Sequence, residues 1–263
     1  MPLRIGLVSI TFRKLSPAEI IALVKQTRLT GIEWGGDIHV PHGDIKRAEE
    51  VGRMTREAGL TISAYGSYYD GKEGLSFGPV LDSAVALGAP LIRVWAGKKG
   101  SAAAGADDWS RVIDGTRKNA GAAAAAGLQI AFEFHANTLT DTPESCVRLL
   151  QGINHPAVRA YWQPPVGAAP ADCLAGLKSV LPWLSRVHAF HWENGQRLPL
   201  ANGTMGWAPY LNILRQSGMD GYVSLEFVRD DSPQAFLEDA GTLADWLAGG
   251  GNDARIAEKI SGK

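Results

Sequence analysis

The sequence predicts an α/β protein, a closed (β/α)₈ barrel of eight parallel strands with a helix after each strand. Short runs rich in β-branched and aromatic residues alternate with longer segments of helical period, and strict alternation favours a parallel sheet. Eight such units fit into 263 residues, close to the length of about 250 residues that such a barrel usually has. The first strand leads into Ser9–Arg13, not into the glycine-rich phosphate turn that is common in an open doubly wound sheet.

Eight segments have the composition of buried strands, in which aliphatic and aromatic residues run almost continuously. The predicted strands are Arg4–Ile10, Gly31–Trp34, Thr61–Tyr65, Leu91–Trp95, Gln129–Glu133, Arg159–Gln163, Val187–His191 and Tyr222–Phe227.

Eight longer segments between these strands have helical spacing of apolar residues, and several begin where a hydroxyl precedes a proline, as at Ser16, Thr142 and Ser232. Several end at a glycine just before the next strand. The predicted helices are Pro17–Arg28, Asp44–Ala58, Phe77–Leu87, Asp107–Ala126, Pro143–Leu150, Asp172–Val180, Gly206–Gln216 and Pro233–Leu247. We expect a single barrel domain over residues 1–248 and a polar tail over residues 249–263.

The composition excludes several classes of protein. A net charge of −1 gives no basic surface for non-specific binding to nucleic acid. No apolar run approaches the length of about 20 residues that spans a membrane, and the first residues do not resemble a secretory signal. Cys146 and Cys173 have neither metal nor redox spacing, so we expect two buried thiols in a reducing compartment. We therefore expect a cytoplasmic protein without nucleic-acid or membrane partners.

Four polar side chains stand at the ends of the last four predicted strands, where barrel enzymes carry their active sites. They are Glu133, Gln163, His191 and Glu226. Because the ends of neighbouring strands converge above the barrel, these side chains should meet at one point. Two carboxylates, an imidazole and an amide oxygen suit one divalent cation, with Mn²⁺ as the first choice and Mg²⁺, Co²⁺ or Zn²⁺ as alternatives.

Two histidines compete for the seventh strand. His188 and His191 point to opposite faces if the strand is regular, and His191 lies nearer the end. We therefore expect His191 to be the ligand and His188 to face the helix layer. His135, two residues beyond Glu133, leans to the same side and is a candidate contact for the substrate.

The chain resembles the sugar phosphate isomerase/epimerase family, also called the xylose isomerase-like TIM barrels. The resemblance runs through GLVSITF, GIEWGGDIHV, SAYGSYY, LIRVWAG, FEFH and SLEF, in order along nearly the whole chain. It implies a metal-dependent enzyme that acts on a small sugar, with Glu133, His191 and Glu226 at three of the four metal-binding positions. It also implies a homodimer and a substrate-binding arginine six residues after the metal histidine, which is Arg197.

The sixth strand departs from the family pattern. The family has an aspartate followed three residues later by a histidine, whereas this chain reads Gln163-Pro164-Pro165-Val166. Two glutamates, one glutamine and a neutral histidine would carry a charge of −2, against −3 in the usual set. We therefore expect a cation that binds more weakly and is more electrophilic.

The leading functional hypothesis is an isomerase or epimerase that removes a proton next to the carbonyl of a sugar, through an enediolate. Glu133 and Glu226 would serve as general base and general acid. Further substrate contacts are expected from Trp34, Trp95 and His39, which lie in or just after strands. The same groups suit a lyase or dehydratase that acts on a keto-sugar or keto-inositol. An abasic-site endonuclease and a non-catalytic barrel are weaker alternatives, the first because this chain has only 6 histidines for a cluster of zinc ions.

Overall fold

Eight parallel strands close into a barrel in a computed structural model that describes residues 3–71 and 76–249. The last strand pairs with the first, with Tyr222 opposite Arg4, so the predicted closed barrel is confirmed and the open sheet is excluded. The barrel strands are β1 (Arg4–Val8), β2 (Gly31–Gly35), β3 (Thr61–Tyr69), β4 (Leu91–Val94), β5 (Gln129–Phe132), β6 (Val158–Trp162), β7 (Leu184–Ala189) and β8 (Tyr222–Leu225).

One α-helix follows each strand and covers the outside of the barrel. The helices are α1 (Pro17–Val24), α2 (Ile45–Glu57), α3 (Gly78–Leu87), α4 (Ala106–Ala125), α5 (Pro143–Ile153), α6 (Pro170–Val180), α7 (Thr204–Gln216) and α8 (Pro233–Leu247). The hydroxyls of Ser16, Thr142 and Ser232 accept hydrogen bonds from the first turns of α1, α5 and α8, as the serine–proline and threonine–proline pairs predict.

Two details of the strands differ from the predicted bounds. β7 begins three residues earlier than expected and ends at Ala189, because a short 3₁₀ turn, Leu181–Trp183, leads the chain directly into the sheet. Beyond this strand, Trp192–Glu193 and Gln196–Arg197 form a small antiparallel hairpin that the sequence did not predict.

The core has two parts of different character. The space between strands and helices is filled by aliphatic and aromatic side chains, such as Ile32, Trp34 and Val187. Inside the barrel a small group of four residues, Ala64, Leu91, Ala131 and Tyr161, lies beside buried charged side chains. Burial of several charges is costly unless they are paired, so the interior of the barrel is where functional groups are expected.

The predicted polar tail, apart from Gly249, lies outside the described residues. None of the helices in residues 3–71 and 76–249 combines the length and the apolar character that a membrane-spanning helix needs.

Candidate metal centre and active site

Three ionisable side chains converge at the end of the barrel that is formed by the C-terminal ends of the strands. Glu133 follows β5, His188 lies in β7 and Glu226 follows β8, and all three are buried. The Nδ1 atom of His188 lies 3.3 Å from Oε2 of Glu226 and 3.6 Å from Oε1 of Glu133. One ligand atom of each residue lies within 4.8 Å of the others, which is an arrangement that could hold a metal ion.

Gln163 joins this group from the end of β6. Its Oε1 lies 3.0 Å from Nδ1 of His188, while its Nε2 donates a hydrogen bond of 3.0 Å to the backbone oxygen of Phe134. That bond fixes the amide with its oxygen turned toward the cluster. The residue precedes Pro164, which confines its backbone to extended geometry and helps to hold the side chain in place.

The four donors fit a divalent cation. Carboxylate and amide oxygens with one imidazole nitrogen are a donor set that hard and borderline ions accept. Glu133, Glu226 and Gln163 turn acceptor oxygens toward one another around Nδ1 of His188, and a cation among these oxygens would relieve their repulsion. The side chains present therefore match the chemistry of the predicted cofactor, with Glu133, Gln163, His188 and Glu226 as the residues that would hold it.

A second set of buried polar residues supports the cluster from the neighbouring strands. Glu33 in β2 accepts a hydrogen bond of 2.6 Å from Nε of Arg93 in β4 and one of 2.9 Å from the hydroxyl of Tyr161 in β6. Its Oε2 also lies 3.4 Å from Nε2 of His188. Arg93 therefore has a buried partner in Glu33, and Glu33 links β2 to three other strands.

Glu133 is held by two donors. Nη1 of Arg93 donates to its Oε2 in a buried ion pair, and Nε1 of Trp95 donates to the same oxygen over 2.7 Å. These bonds leave Oε1 facing His188. Glu226 is buried too, and its carboxylate contacts Nδ1 of His188.

The charges of the site shift one another's pKa values. Burial alone would raise the pKa of Glu33, but the charges of Arg93 and His188 lower it to about 2. Burial also opposes ionisation of Glu133, and Arg93 together with His188 holds its pKa well below the ordinary value. For His188, burial favours the neutral ring, but Glu226 and Glu33 raise its pKa well above the ordinary value. The site therefore attracts positive charge.

The structure reverses the expected positions of the two histidines of the seventh strand. His188 is fully buried inside the barrel beside Glu133, Gln163 and Glu226, so the expectation that it faces the helix layer was wrong. His191 lies beyond the end of β7, where its Nε2 is 3.1 Å from Oε1 of Glu193. There it lines a cavity of about 340 Å³ between the β6–α6 and β7–α7 segments.

Two of the expected substrate contacts, Trp34 and His39, are core residues. The ring of Trp34 is fully buried against α2, and its Nε1 donates to the hydroxyl of Thr55. His39 is buried as well, and its ring nitrogens bond to the hydroxyl of Ser9 and the backbone oxygen of Leu15. Neither side chain is directed toward the cluster of carboxylates.

Three other expected substrate contacts lie near the cluster. Trp95 bonds to Glu133, and the ring of His135 packs on Trp95 with 4.5 Å between centroids. Arg197 forms an ion pair with Asp231, and its guanidinium lies 4.5 Å from the ring centroid of Phe227, the neighbour of Glu226. Contact of these residues with a substrate remains a prediction.

Sequence reasoning missed the roles of Glu33, Arg93 and Tyr161 and chose against His188. A signal for His188 was present in the strand itself. Arg186 and His188 alternate with the apolar Val187 and Ala189, and a strand inside a barrel turns alternate residues inward. Glu33 and Arg93 are charged residues in the middle of apolar strands, which predicts that each has a buried partner.

Comparison with known proteins gives a family and several relatives. A family model described as xylose isomerase-like TIM barrel matches residues 21–248. The chain is 25% identical over 205 residues to a 3-dehydroshikimate dehydratase of Bacillus anthracis, and the match covers 71% of each protein.

Solved structures show the same fold. A crystal structure of a probable 3-DHS dehydratase from Bacillus anthracis superposes with a TM-score of 0.80 at 20% identity, covering 92% of this chain and 99% of that one. A structure of L-ribulose 3-epimerase gives a TM-score of 0.71 at 15% identity, covering 98% of both chains. With a family model that spans most of its length, this chain belongs to the xylose isomerase-like TIM barrel family.

Proposed function

We propose that this chain is a divalent-metal-dependent dehydratase, a lyase that removes water from a polyhydroxylated cyclic ketone of the 3-dehydroshikimate type. The observation that carries the proposal is the buried cluster of Glu133, His188 and Glu226, a potential cation site of charged and imidazole ligands inside a barrel. The 3-dehydroshikimate dehydratase relative supports the choice of reaction.

The cation would be held by Glu133, Gln163, His188 and Glu226, and Mn²⁺ remains the first choice. When bound, it would supply positive charge that offsets the negative charge developing on the carbonyl oxygen of the substrate. A cavity of about 280 Å³ beside Gln163, Phe134 and His135 provides space for a small ring next to the cluster.

The two carboxylates suit different tasks. Arg93 and Trp95 both donate to Glu133, and such bonds stabilise a carboxylate in its ionised form, which makes it a weak base. Glu226 lacks comparable donors among the described residues. We therefore assign the removal of the proton to Glu226, through the oxygen that does not face His188, while Glu133 would serve as a ligand of the cation only.

Elimination then proceeds with its atoms balanced. Glu226 takes the proton from the carbon next to the carbonyl, and the electron pair of that C–H bond forms a carbon–carbon double bond. The C–O bond of the β-hydroxyl breaks, and the leaving oxygen takes the proton back from Glu226 and departs as water. The carboxylate of Glu226 is thereby restored, and the substrate has lost exactly one molecule of water.

A second candidate is an isomerase or epimerase acting on a sugar, which shares the first step. It is favoured by the presence of two carboxylates, since Glu133 and Glu226 approach Nδ1 of His188 from different strands. One could remove a proton and the other return it at the opposite face of the carbon. In that case the product keeps the mass of the substrate.

Incubation with 3-dehydroshikimate and Mn²⁺ in D₂O tests the proposal. We expect a product lighter by one water that becomes an aromatic dihydroxybenzoate, detected by its ultraviolet absorption and by mass spectrometry. Glu226→Gln should abolish its formation, whereas Glu57→Gln on the outer face of α2 should leave the rate unchanged. If the wild type gave no lighter product, and keto-sugars gained deuterium without loss of mass, the epimerase would replace the dehydratase.

A further inference from the structure

Glu33 occupies an unusual position for a residue outside the proposed ligand set. It lies in β2, its side chain is 1% exposed, and both of its oxygens are engaged. Oε1 accepts from Nε of Arg93 over 2.6 Å, and Oε2 accepts from the hydroxyl of Tyr161 over 2.9 Å. With both oxygens fixed, the carboxylate has no freedom to rotate.

The same fixed carboxylate faces only one of the two ring nitrogens of His188. Nε2 lies 3.4 Å from Oε2 of Glu33, while Nδ1 faces Gln163, Glu133 and Glu226. A neutral imidazole carries its proton on one nitrogen and a lone pair on the other. Both ring nitrogens face acceptor oxygens, but a cation among the oxygens around Nδ1 would take the lone pair of that nitrogen. The proton of the neutral ring would then lie on Nε2, which faces Oε2 of Glu33.

We propose that Glu33 is a positioning residue that holds the Nε2–H group of His188 and so directs the Nδ1 lone pair to the cation. This inference rests on the proposed metal site. A carboxylate behind a metal-binding histidine fixes the orientation of the ring and strengthens it as a ligand, and loss of such a partner typically lowers metal affinity about 10–100-fold.

The neighbours of Glu33 explain why a carboxylate of this length is needed. Arg93 and Tyr161 anchor it from β4 and β6, so its distance from β7 is set by the barrel. Removal of one methylene would keep the charge beside Arg93 but draw the oxygen away from His188. Glu33→Asp therefore separates the positioning role from the buried ion pair, and Glu33→Gln keeps the length but removes the charge.

The test compares Mn²⁺ affinity, measured by electron paramagnetic resonance, in the wild type, Glu33→Gln, Glu33→Asp and Tyr161→Phe. We expect both Glu33 variants to lose about 10–100-fold in affinity. Tyr161→Phe should lose less than either, because it keeps the carboxylate that faces His188. Circular dichroism in EDTA checks that each variant is folded.

A spectroscopic measurement on the wild type completes the test and does not depend on the variants. In the Zn²⁺-loaded protein, the ¹⁵N signals of His188, assigned with His188→Asn, should show a proton on Nε2 and a metal-bound Nδ1. A proton on Nδ1 would overturn the inference, and so would wild-type affinity in both Glu33 variants. If the wild type bound neither Mn²⁺ nor Zn²⁺, the metal site and with it the proposed function would be rejected. If the wild type bound Mn²⁺ and both Glu33 variants bound it equally well, only the role of Glu33 would be rejected.

Discussion

Nδ1 of His188 lies 3.0 Å from Oε1 of Gln163, and this contact joins the sixth and seventh strands at the candidate metal centre. It places a neutral amide where the family resemblance implies an aspartate. The cluster of Glu133, His188 and Glu226 thus gains an oxygen donor without gaining a further negative charge. The choice of residue at position 163 should therefore set how strongly the site holds a cation.

Substitution of Gln163 tests this directly. Gln163→Glu adds a carboxylate to a buried cluster, so repulsion among the carboxylates should lower the thermal midpoint of unfolding in EDTA. The same variant should bind Mn²⁺ about tenfold more tightly, a gain of about 1.4 kcal/mol in binding free energy. Gln163→Met removes the oxygen donor at similar size and should bind Mn²⁺ more weakly than the wild type. The measurement is the Mn²⁺-induced rise in the thermal midpoint, which should decrease from Glu to Gln to Met. Equal rises in all three proteins would show that residue 163 does not meet the cation.

Gly66 in β3 leaves the space that the buried ion pair needs. A Cβ atom there would lie 2.7 Å from Nη2 of Arg93 and 3.0 Å from Oε1 of Glu33, and both partners are immobilised in the barrel. Gly66→Ala should therefore lower the free energy of unfolding by about 1–3 kcal/mol, as overpacking usually does. It should also weaken Mn²⁺ binding, because Glu33 and Arg93 would have to shift.

Gly121→Ala is the matched control, measured by urea unfolding in EDTA. Gly121 lies in α4, and within the described chain no atom stands within 4 Å of the position of an added Cβ. Alanine is the better helix former, so this variant should gain about 0.5–1 kcal/mol. If Gly66→Ala lost no stability relative to the wild type while Gly121→Ala gained it as expected, the barrel interior would be shown to adapt freely.

Asp239 gives the protein a predictable dependence on pH. Its carboxylate in α8 is 4% exposed and accepts a hydrogen bond of 2.8 Å from the backbone nitrogen of Leu200, and burial raises its pKa to about 6. In the unfolded chain the pKa is about 3.9. Between these values the folded protein holds a proton that the unfolded chain releases, so this group lowers the free energy of unfolding as the pH rises from about 4 to about 6.

Asp239→Asn removes the titration and keeps an acceptor for Leu200. The free energy of unfolding of the variant minus that of the wild type should therefore rise by about 2–2.5 kcal/mol between pH 4 and pH 7. Urea unfolding at several pH values measures it. A difference that stays constant over this range would contradict the raised pKa.

The order of strands and helices could be predicted because each element carries a local signal. These signals act within a few residues: the periodic spacing of apolar residues, capping pairs such as Ser16 with Pro17, and the glycines that end helices. Glu133, Gln163 and Glu226 could be found for a related reason. Each directly follows the last residue of a strand, and the geometry of a barrel brings those positions together.

The correct histidine required more than local signals. His188 and His191 differ by an odd number of residues, so they face opposite sides of a regular strand, and the sequence around them does not fix which side is the barrel interior. A polar residue at the very end of a predicted strand seemed the better candidate, but the strand ends at Ala189. Trp34 lies in β2, and a strand position predicts burial without saying which side of the sheet a residue faces. His39 lies beyond that strand, where its ring is held by Ser9 and Leu15.

The supporting residues depend on contacts across the barrel. Glu33 meets Tyr161, 128 residues away in sequence, and Arg93 meets Glu133 across a strand pair. No local pattern encodes such partners. They follow from the register of eight strands, which sequence reasoning leaves open.

We propose that His188, with Glu133, Gln163 and Glu226, holds a divalent cation. Calorimetric titration of Mn²⁺ into the metal-free wild type, His188→Gln and His191→Gln tests this. We expect one bound ion in the wild type, no measurable binding in His188→Gln and unchanged binding in His191→Gln. Full binding in a folded His188→Gln, or its loss in His191→Gln, would contradict it.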